Sequence, residues 1–360
     1  VTAALVTGVL FLGPDRGSVG AATRKAGATA APAPQYDVAL GDSIAAGAGA
    51  SLPTDDYVTL VYQHVLSRYP GLQLVNLACS GATTGSMISG PGCSYTTGTQ
   101  LGDAEAFLRA HAGRVALVTI DIGANNVDSC LGPSGIDAAC VESGFEEITT
   151  QLPEILSGLT TADPGVAIYG MDYYDPFLDQ WLTGATGQAV AEESEADTVA
   201  LNGSLEQIYA AADAATADPA SLFDTTDFAL TGSWDGEVVP ENVALICAWT
   251  LMCTDNDIHP DDTGHAEIAR AFEKVIDHIA VTTTVLPAAT AGQPYSGQLS
   301  ATGGHPPDKW SVVAGRGVLP PGLQLGRSSG LISGVPTTAG RYAFAVKVGD
   351  TRVAPDPSQH

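Results

Sequence analysis

The chain changes its hydrophobic rhythm twice. Over residues 35 to 281, short aliphatic and β-branched runs alternate with apolar stripes at helical spacing. The runs Tyr36–Leu40, Gln73–Leu77, Val115–Ile120 and Val166–Met171 predict strands. The stripes Val58, Val61, Tyr62, Val65, then Phe145, Ile148, Leu152, Ile155, then Ile268, Phe272, Val275, Ile276 predict helices. Strands that alternate with amphipathic helices build a parallel sheet covered on both faces, so this segment is expected to be α/β. Residues 282 to 360 follow another rule. Tyr342, Phe344, Val346 and Val348 alternate strictly, and turns such as Pro320-Pro321-Gly322 punctuate the runs, which predicts a small all-β domain. Ahead of both, Ala3–Leu12 is almost wholly apolar but too short to span a bilayer, and small residues follow at Ala21-Ala22 and from Ala28 to Ala33. That pattern predicts a signal peptide and linker over residues 1 to 34, hence a secreted, extracellular protein with no integral membrane segment in its mature chain.

Charge marks the same boundary. Residues 35 to 281 carry 5 basic and 36 acidic side chains, whereas residues 282 to 360 carry 6 basic and 3 acidic ones. The whole chain has a formal net charge of -26, which argues against nucleic acid or an anionic surface as a partner and favours neutral or cationic ones. Six cysteines fall into three local pairs, and disulfides Cys79–Cys93, Cys130–Cys140 and Cys247–Cys253 are expected, although the count alone leaves other connectivities open. No C-x2-C spacing occurs and His is scarce, so neither metal nor cofactor is expected.

Candidate chemistry starts at Gly41-Asp42-Ser43, directly after the first strand. In an open α/β sheet this puts a hydroxyl at the carboxyl end of a strand, where sites form. A serine needs a general base to become a nucleophile and donors to hold an oxyanion. Three later segments offer both: Asn76-Leu-Ala-Cys-Ser-Gly81, Gly123-Ala-Asn-Asn126 and Asp257-Ile-His-Pro260. Any one of them is ordinary turn chemistry, but the four in this order resemble the blocks of the SGNH (GDSL-like) hydrolases. The resemblance implies a three-layer fold with a parallel central sheet. It also implies Ser43 as nucleophile, His259 as its base, and an oxyanion hole from the backbone N–H groups of Ser43 and Gly81 with the side-chain amide of Asn125. At Gly81 a side chain is expected to obstruct the approach of that N–H to the reacting carbonyl. Of the other histidines, His265 reads as a surface or helix-end residue.

One position departs from the family pattern. The family places an Asp three residues before the catalytic His, and here that position is Asn256. Some secreted relatives use a main-chain carbonyl there, so the Asn256 carbonyl is the favoured orienting group for the imidazole, with Asp257 as the alternative. Favouring Asn256 assumes an extended segment, in which neighbouring side chains point to opposite faces. The C-terminal region resembles Ig-like modules of bacterial surface and secreted proteins through Leu319-Pro-Pro-Gly-Leu323 and Gly330-Leu-Ile-Ser-Gly-Val-Pro-Thr-Thr-Ala-Gly340, with the final strand missing or rebuilt. Gly326-Arg-Ser-Ser-Gly330 matches a nucleophile-elbow pattern but lacks the strand-to-helix setting that pattern needs.

The expected activity is hydrolysis of carboxylic esters, lipid or short-chain acyl, through an acyl-enzyme on Ser43. Tyr173, Tyr174, Phe177, Trp181, Trp249 and Met252 are candidates for lining an acyl pocket. The alternatives are a carbohydrate deacetylase, with the Ig-like module touching polysaccharide or a surface, and a non-catalytic surface-binding protein supported only by Asn256.

Overall fold

The computed structural model describes residues 3–13, 35–90, 92–132, 135–278, 280–281, 283, 285–302 and 309–349. The chain divides into two compact units: Ala31–Val275, and a second unit that combines Ile276–His360 with the N-terminal strand. The observed division lies a few residues before the change of charge, where the last helix, Asp262–Ile276, ends.

In the first unit five strands form one parallel sheet, in spatial order Gln73–Asn76, Tyr36–Gly41, Val115–Asp121, Ile168–Met171 and Ala215–Ala217. Helices flank it, as expected for an SGNH-type fold. The middle strands are buried along nearly their whole length, which is why they read as continuous apolar runs rather than as alternation. In chain order the strands lie 2-1-3-4-5, so the order reverses between Tyr36–Gly41 and Val115–Asp121. Chains leaving those two strands diverge and open a crevice at their carboxyl ends.

The predicted stripes lie on helices Tyr57–Leu66, Ala138–Ala162 and Asp262–Ile276. A further long helix, Ala185–Ala211, carries no such stripe because its buried face includes Gly187, Ala191 and Ser194. Disulfides join Cys79 to Cys93, Cys130 to Cys140 and Cys247 to Cys253, the expected pairs.

The second unit is all-β. One antiparallel group sets Leu331–Gly334 between Tyr295–Gln298 and Leu323–Leu325. In the other, Gly340–Gly349 lies beside Lys309–Gly317. Trp310, Ile332, Phe344, Val346 and Val348 pack into its core, so the alternation read from the sequence faces inward. The Gly326–Gly330 segment is the turn between two of these strands. On its other side Gly340–Gly349 pairs antiparallel with Ala3–Gly13, over ten residue pairs from Ala3 with Gly349 to Leu12 with Gly340. The stretch expected to be the core of a signal peptide is thus a strand of this sheet, and the rest of the 1–34 segment lies outside the described residues apart from Gly13.

Candidate active site

Ser43 follows directly from the strand Tyr36–Gly41 at the crevice where the strand order reverses. Gly41 is required there: with φ at 143°, its missing Cβ would sit 1.5 Å from Asp121 Oδ1. The backbone of Gly41 is clamped by buried Gln100, whose Oε1 accepts the Gly41 N–H at 2.8 Å and whose Nε2 donates to the Gly41 carbonyl at 3.0 Å. The next turn is held by Asn76, which donates from Nδ2 to Ala45 O at 2.7 Å. The nucleophile candidate is therefore fixed by its neighbours' backbone bonds before any substrate arrives.

Beneath it lies a buried acidic network. Asp121 Oδ1 accepts the Asp42 N–H at 3.0 Å, Tyr57 Oη donates to Asp121 Oδ2 at 3.1 Å, and Tyr173 Oη donates to Asp42 Oδ2 at 3.4 Å. Burial raises the Asp42 carboxyl to about 7. Burial together with the neighbouring Asp42 lifts Asp121 well above the carboxylate range. The pair thus keeps a proton near neutrality instead of burying two charges.

His259 meets Ser43 across 216 residues of chain: Ser43 Oγ lies 2.8 Å from His259 Nε2. Its loop is fastened at several points. Leu251 N–H donates to His259 O at 3.0 Å, Asp261 N–H to Trp249 O at 3.0 Å, and Tyr174 Oη to Ile258 O at 2.8 Å. On the other side of the ring, Asp257 Oδ1 lies 2.5 Å from His259 Nδ1. With a proton on Nδ1 shared toward this carboxylate, Nε2 is left to accept the Ser43 hydroxyl proton.

The orienting role expected of Asn256 does not match this geometry, because the group beside the imidazole is Asp257. Asn256 occupies the left-handed region, φ 54° and ψ 43°, and its N–H donates to Met252 O at 3.0 Å, closing the short helix Met252–Asp255. After it the segment is not simply extended. Asp257 Oδ1 also accepts the His259 N–H at 3.1 Å, and this Asx turn curls the carboxylate onto the imidazole two residues on. An Asp two residues before a His was the available signal.

Asn125 sits in the short turn Ala124–Asn126 beyond the strand Val115–Asp121. Its Nδ2 donates to Ala82 O at 3.0 Å, so one amide hydrogen orients the side chain and the second remains for a ligand. Asn126 ties this turn to the helix Thr84–Ser89, accepting the Thr84 N–H at 3.1 Å. Gly81 lies between these pieces with φ at 75°. A Cβ there would meet nothing within 4 Å, so among the protein's own atoms glycine is explained by its left-handed backbone and not by crowding.

His265 corrects another expectation. It is fully buried, accepts the Tyr57 N–H on Nδ1 at 3.3 Å, and donates from Nε2 to Ala48 O at 2.9 Å. These two bonds define a neutral imidazole, and burial lowers its pKa accordingly. The residue joins the last helix to the loop that follows Ser43. Its signal in the sequence is its place three and seven residues before Ile268 and Phe272, on the inward stripe of that helix.

Beside Ser43 and His259 opens a cleft of about 790 Å³, including the space at its mouth. Ile44, Val127, Leu131, Phe145, Phe177 and Ile258 supply apolar wall. Of the aromatic candidates, Tyr173, Tyr174 and Phe177 line it. Trp181 packs on Phe228, Trp249 meets Phe223 edge-on, and Met252 is buried elsewhere. Among the described residues no group of His, Cys, Asp and Glu is placed to hold a metal ion, and no helix is long and apolar enough to cross a membrane.

The GDSL-like lipase/acylhydrolase family model matches residues 39–267, and an Ig-domain model matches residues 278–356. No curated protein matches the chain. Among solved structures, a lipase from a goat rumen metagenome is 14% identical at a TM-score of 0.46, with 67% of this chain and 96% of that chain covered. An extracellular lipase from Streptomyces rimosus is 19% identical at a TM-score of 0.45, with 67% and 99% covered. A phospholipase A1 from Streptomyces albidoflavus is 17% identical at 0.43, also with 67% and 99% covered.

Proposed function

The chain belongs to the GDSL-like lipase/acylhydrolase family and is an ester hydrolase of the esterase/lipase type, and from that premise we propose that it is a secreted serine hydrolase whose acyl-enzyme forms on Ser43. The observation that carries the reading is the relay Ser43 Oγ to His259 Nε2 at 2.8 Å and His259 Nδ1 to Asp257 Oδ1 at 2.5 Å.

In the first half-reaction His259 takes the Ser43 proton as Oγ attacks the ester carbonyl. Asp257 holds the imidazole in register and stabilises the imidazolium that results. The oxyanion is received by the N–H groups of Ser43 and Gly81 and by the second amide hydrogen of Asn125, each donor contributing about 3 kcal/mol to the transition state. The imidazolium then protonates the leaving alcohol. Water, deprotonated by the same His259, attacks the acyl-enzyme, and the imidazolium returns its proton to Ser43 Oγ as the Oγ–acyl bond breaks and the acid leaves. The apolar wall of the cleft suits an acyl chain, which supports lipid or short-chain acyl esters as substrates. The three disulfides support an oxidising, extracellular location. We assign the Ig-like unit no part in the chemistry.

The test is hydrolysis of p-nitrophenyl esters by the wild-type chain and by Ser43→Ala. Equal rates in the two would remove Ser43 from the mechanism. Absence of hydrolysis by the wild type on every acyl length would return the protein to the non-catalytic reading, whose only support, the missing carboxylate at Asn256, is weakened by the nearby Asp257.

A further inference from the structure

The cleft is apolar in its walls but acidic in its charges. Its lining includes Asp42, Asp128, Asp175 and Asp197, and among the described residues it includes no Lys or Arg. Of the four, Asp42 accepts the Ile44 N–H at 2.9 Å, and Asp197 lies on the long helix Ala185–Ala211. Asp175 is fully buried, and its Oδ1 accepts from Phe177 N–H and Ser194 Oγ–H, while Oδ2 has no hydrogen-bond partner. Asp128 is half-buried in the short turn Asp128–Cys130, which the disulfide to Cys140 holds in place. It shares the cleft with Ser43 and His259, and among the described residues the one group that favours its charged form is His259. The same cleft is lined by the aromatic side chains Phe145, Tyr173, Tyr174 and Phe177.

A carboxylate with open valence among aromatic faces is the chemistry that holds an ammonium group: the charge meets the carboxylate and the methylated nitrogen meets the π-faces. A neutral chain would leave Asp128 desolvated without recompense when it filled the cleft. We propose that Asp128, together with the aromatic side chains that line the same cleft, makes it select esters that carry a quaternary ammonium group near the scissile carbonyl. The inference rests on the ester-hydrolase reading of Ser43 and His259 and names the substrate class of that same site.

The groups facing Asp128 are His259, Asp42 and Tyr174, the last neutral throughout the working range because burial raises it well above its ordinary value. Burial pushes Asp128 up to about 6, with His259 drawing it back. The preference for a cation should therefore be present above that range and fade as Asp128 is protonated below it.

The experiment compares butyrylcholine with its uncharged isostere, 3,3-dimethylbutyl butyrate, using the full chain from pH 5 to pH 8, and reads the ratio of the two kcat/KM values. Both esters need the same base, so its titration cancels in the ratio. The wild type is expected to favour the choline ester by about tenfold at pH 8 and to lose most of that preference by pH 5. Asp128→Asn should flatten the ratio at every pH, and Asp128→Glu should keep part of it. Asp42 also titrates near this window, at about 7, and the Asp128→Asn comparison separates the two. A wild-type ratio near one at pH 8, or a ratio that Asp128→Asn leaves unchanged, overturns the inference while the hydrolase reading stands. No cleavage of either ester or of p-nitrophenyl butyrate overturns both.

Discussion

In the unit Ala31–Val275 the elements proposed to carry the chemistry are short loops at the ends of strands, and each is fastened from outside itself. Cys79–Cys93 braces the segment containing Gly81, Cys130–Cys140 the turn beyond Asn125, and Cys247–Cys253 the approach to Asp257. The C-terminal β unit contains no cysteine. It is held by strand pairing around Trp310, Ile332 and Phe344, and its acidic residues are few. The difference teaches where precision is needed. A sandwich whose strands define their own register needs no clips, whereas a site assembled from residues as far apart as Ser43 and His259 must have its loop positions fixed.

The largest effect expected to sharpen this contrast is chemical. Ser43→Ala should lower kcat on a p-nitrophenyl ester by at least about a thousandfold, with no change in the circular dichroism of either unit. Next, Asp257→Asn should cost on the order of a hundredfold to ten-thousandfold in kcat, because the imidazole loses its correct tautomer, while Asn256→Ala should leave kcat within about threefold. If Asn256→Ala were the more damaging of the two, Asp257 would not be the orienting group.

Reduction of the disulfides should separate the units thermally. Loops of this length contribute about 2 to 3 kcal/mol each, so calorimetry with and without reductant should show the α/β transition falling by many degrees and the β transition unmoved. A common shift of both would erase the distinction.

A subtler difference is electrostatic. Asp37 is buried in the strand Tyr36–Gly41, and burial raises its carboxyl to about 7. Between about pH 4 and 7 the unfolded chain releases this proton and the folded one retains it, so stability falls as pH rises through that window. Asp37→Asn removes the titration. Its melting temperature should therefore gain on the wild type between pH 5 and pH 8, by an amount equivalent to about 3 kcal/mol, and a gap independent of pH would deny the burial effect. The smallest effect is the last: removing residues 282–360 should leave kcat/KM on a soluble p-nitrophenyl ester within about twofold, and a larger loss would give that unit a part in handling the substrate.

Much of this was legible in the sequence, and the gaps have physical causes. Four of the five parallel strands lie where apolar runs predict them; the three middle ones are buried and so apolar on both faces, while the edge strand Gln73–Asn76 keeps only Leu74 and Val75 as its apolar signal. The fifth, Ala215–Ala217, is three small residues long and leaves no trace above its surroundings. Small inward residues likewise hid the helix Ala185–Ala211. Around the site, Ser43 and His259 stand in short sequence blocks and are brought together. Gln100 and His265 are not in those blocks, and their partners lie 59 and 217 residues away, a relation that no local pattern encodes. What local pattern offers is that a polar residue shares the inward face of a helix, as Gln100 does with Ala104 and Leu108. The error at Asn256 came from assuming extended chain where an Asx turn forms.

The pairing of Ala3–Gly13 with Gly340–Gly349 sets two fates for one segment against each other. A leader removed during export cannot also be a sheet strand. If export cleaves the chain as proposed, the mature β unit is left with an open ladder along Gly340–Gly349, its N–H and C=O groups presented to solvent on the side away from Lys309–Gly317. Such an edge templates strand addition, from a second copy or from any extended peptide of suitable register.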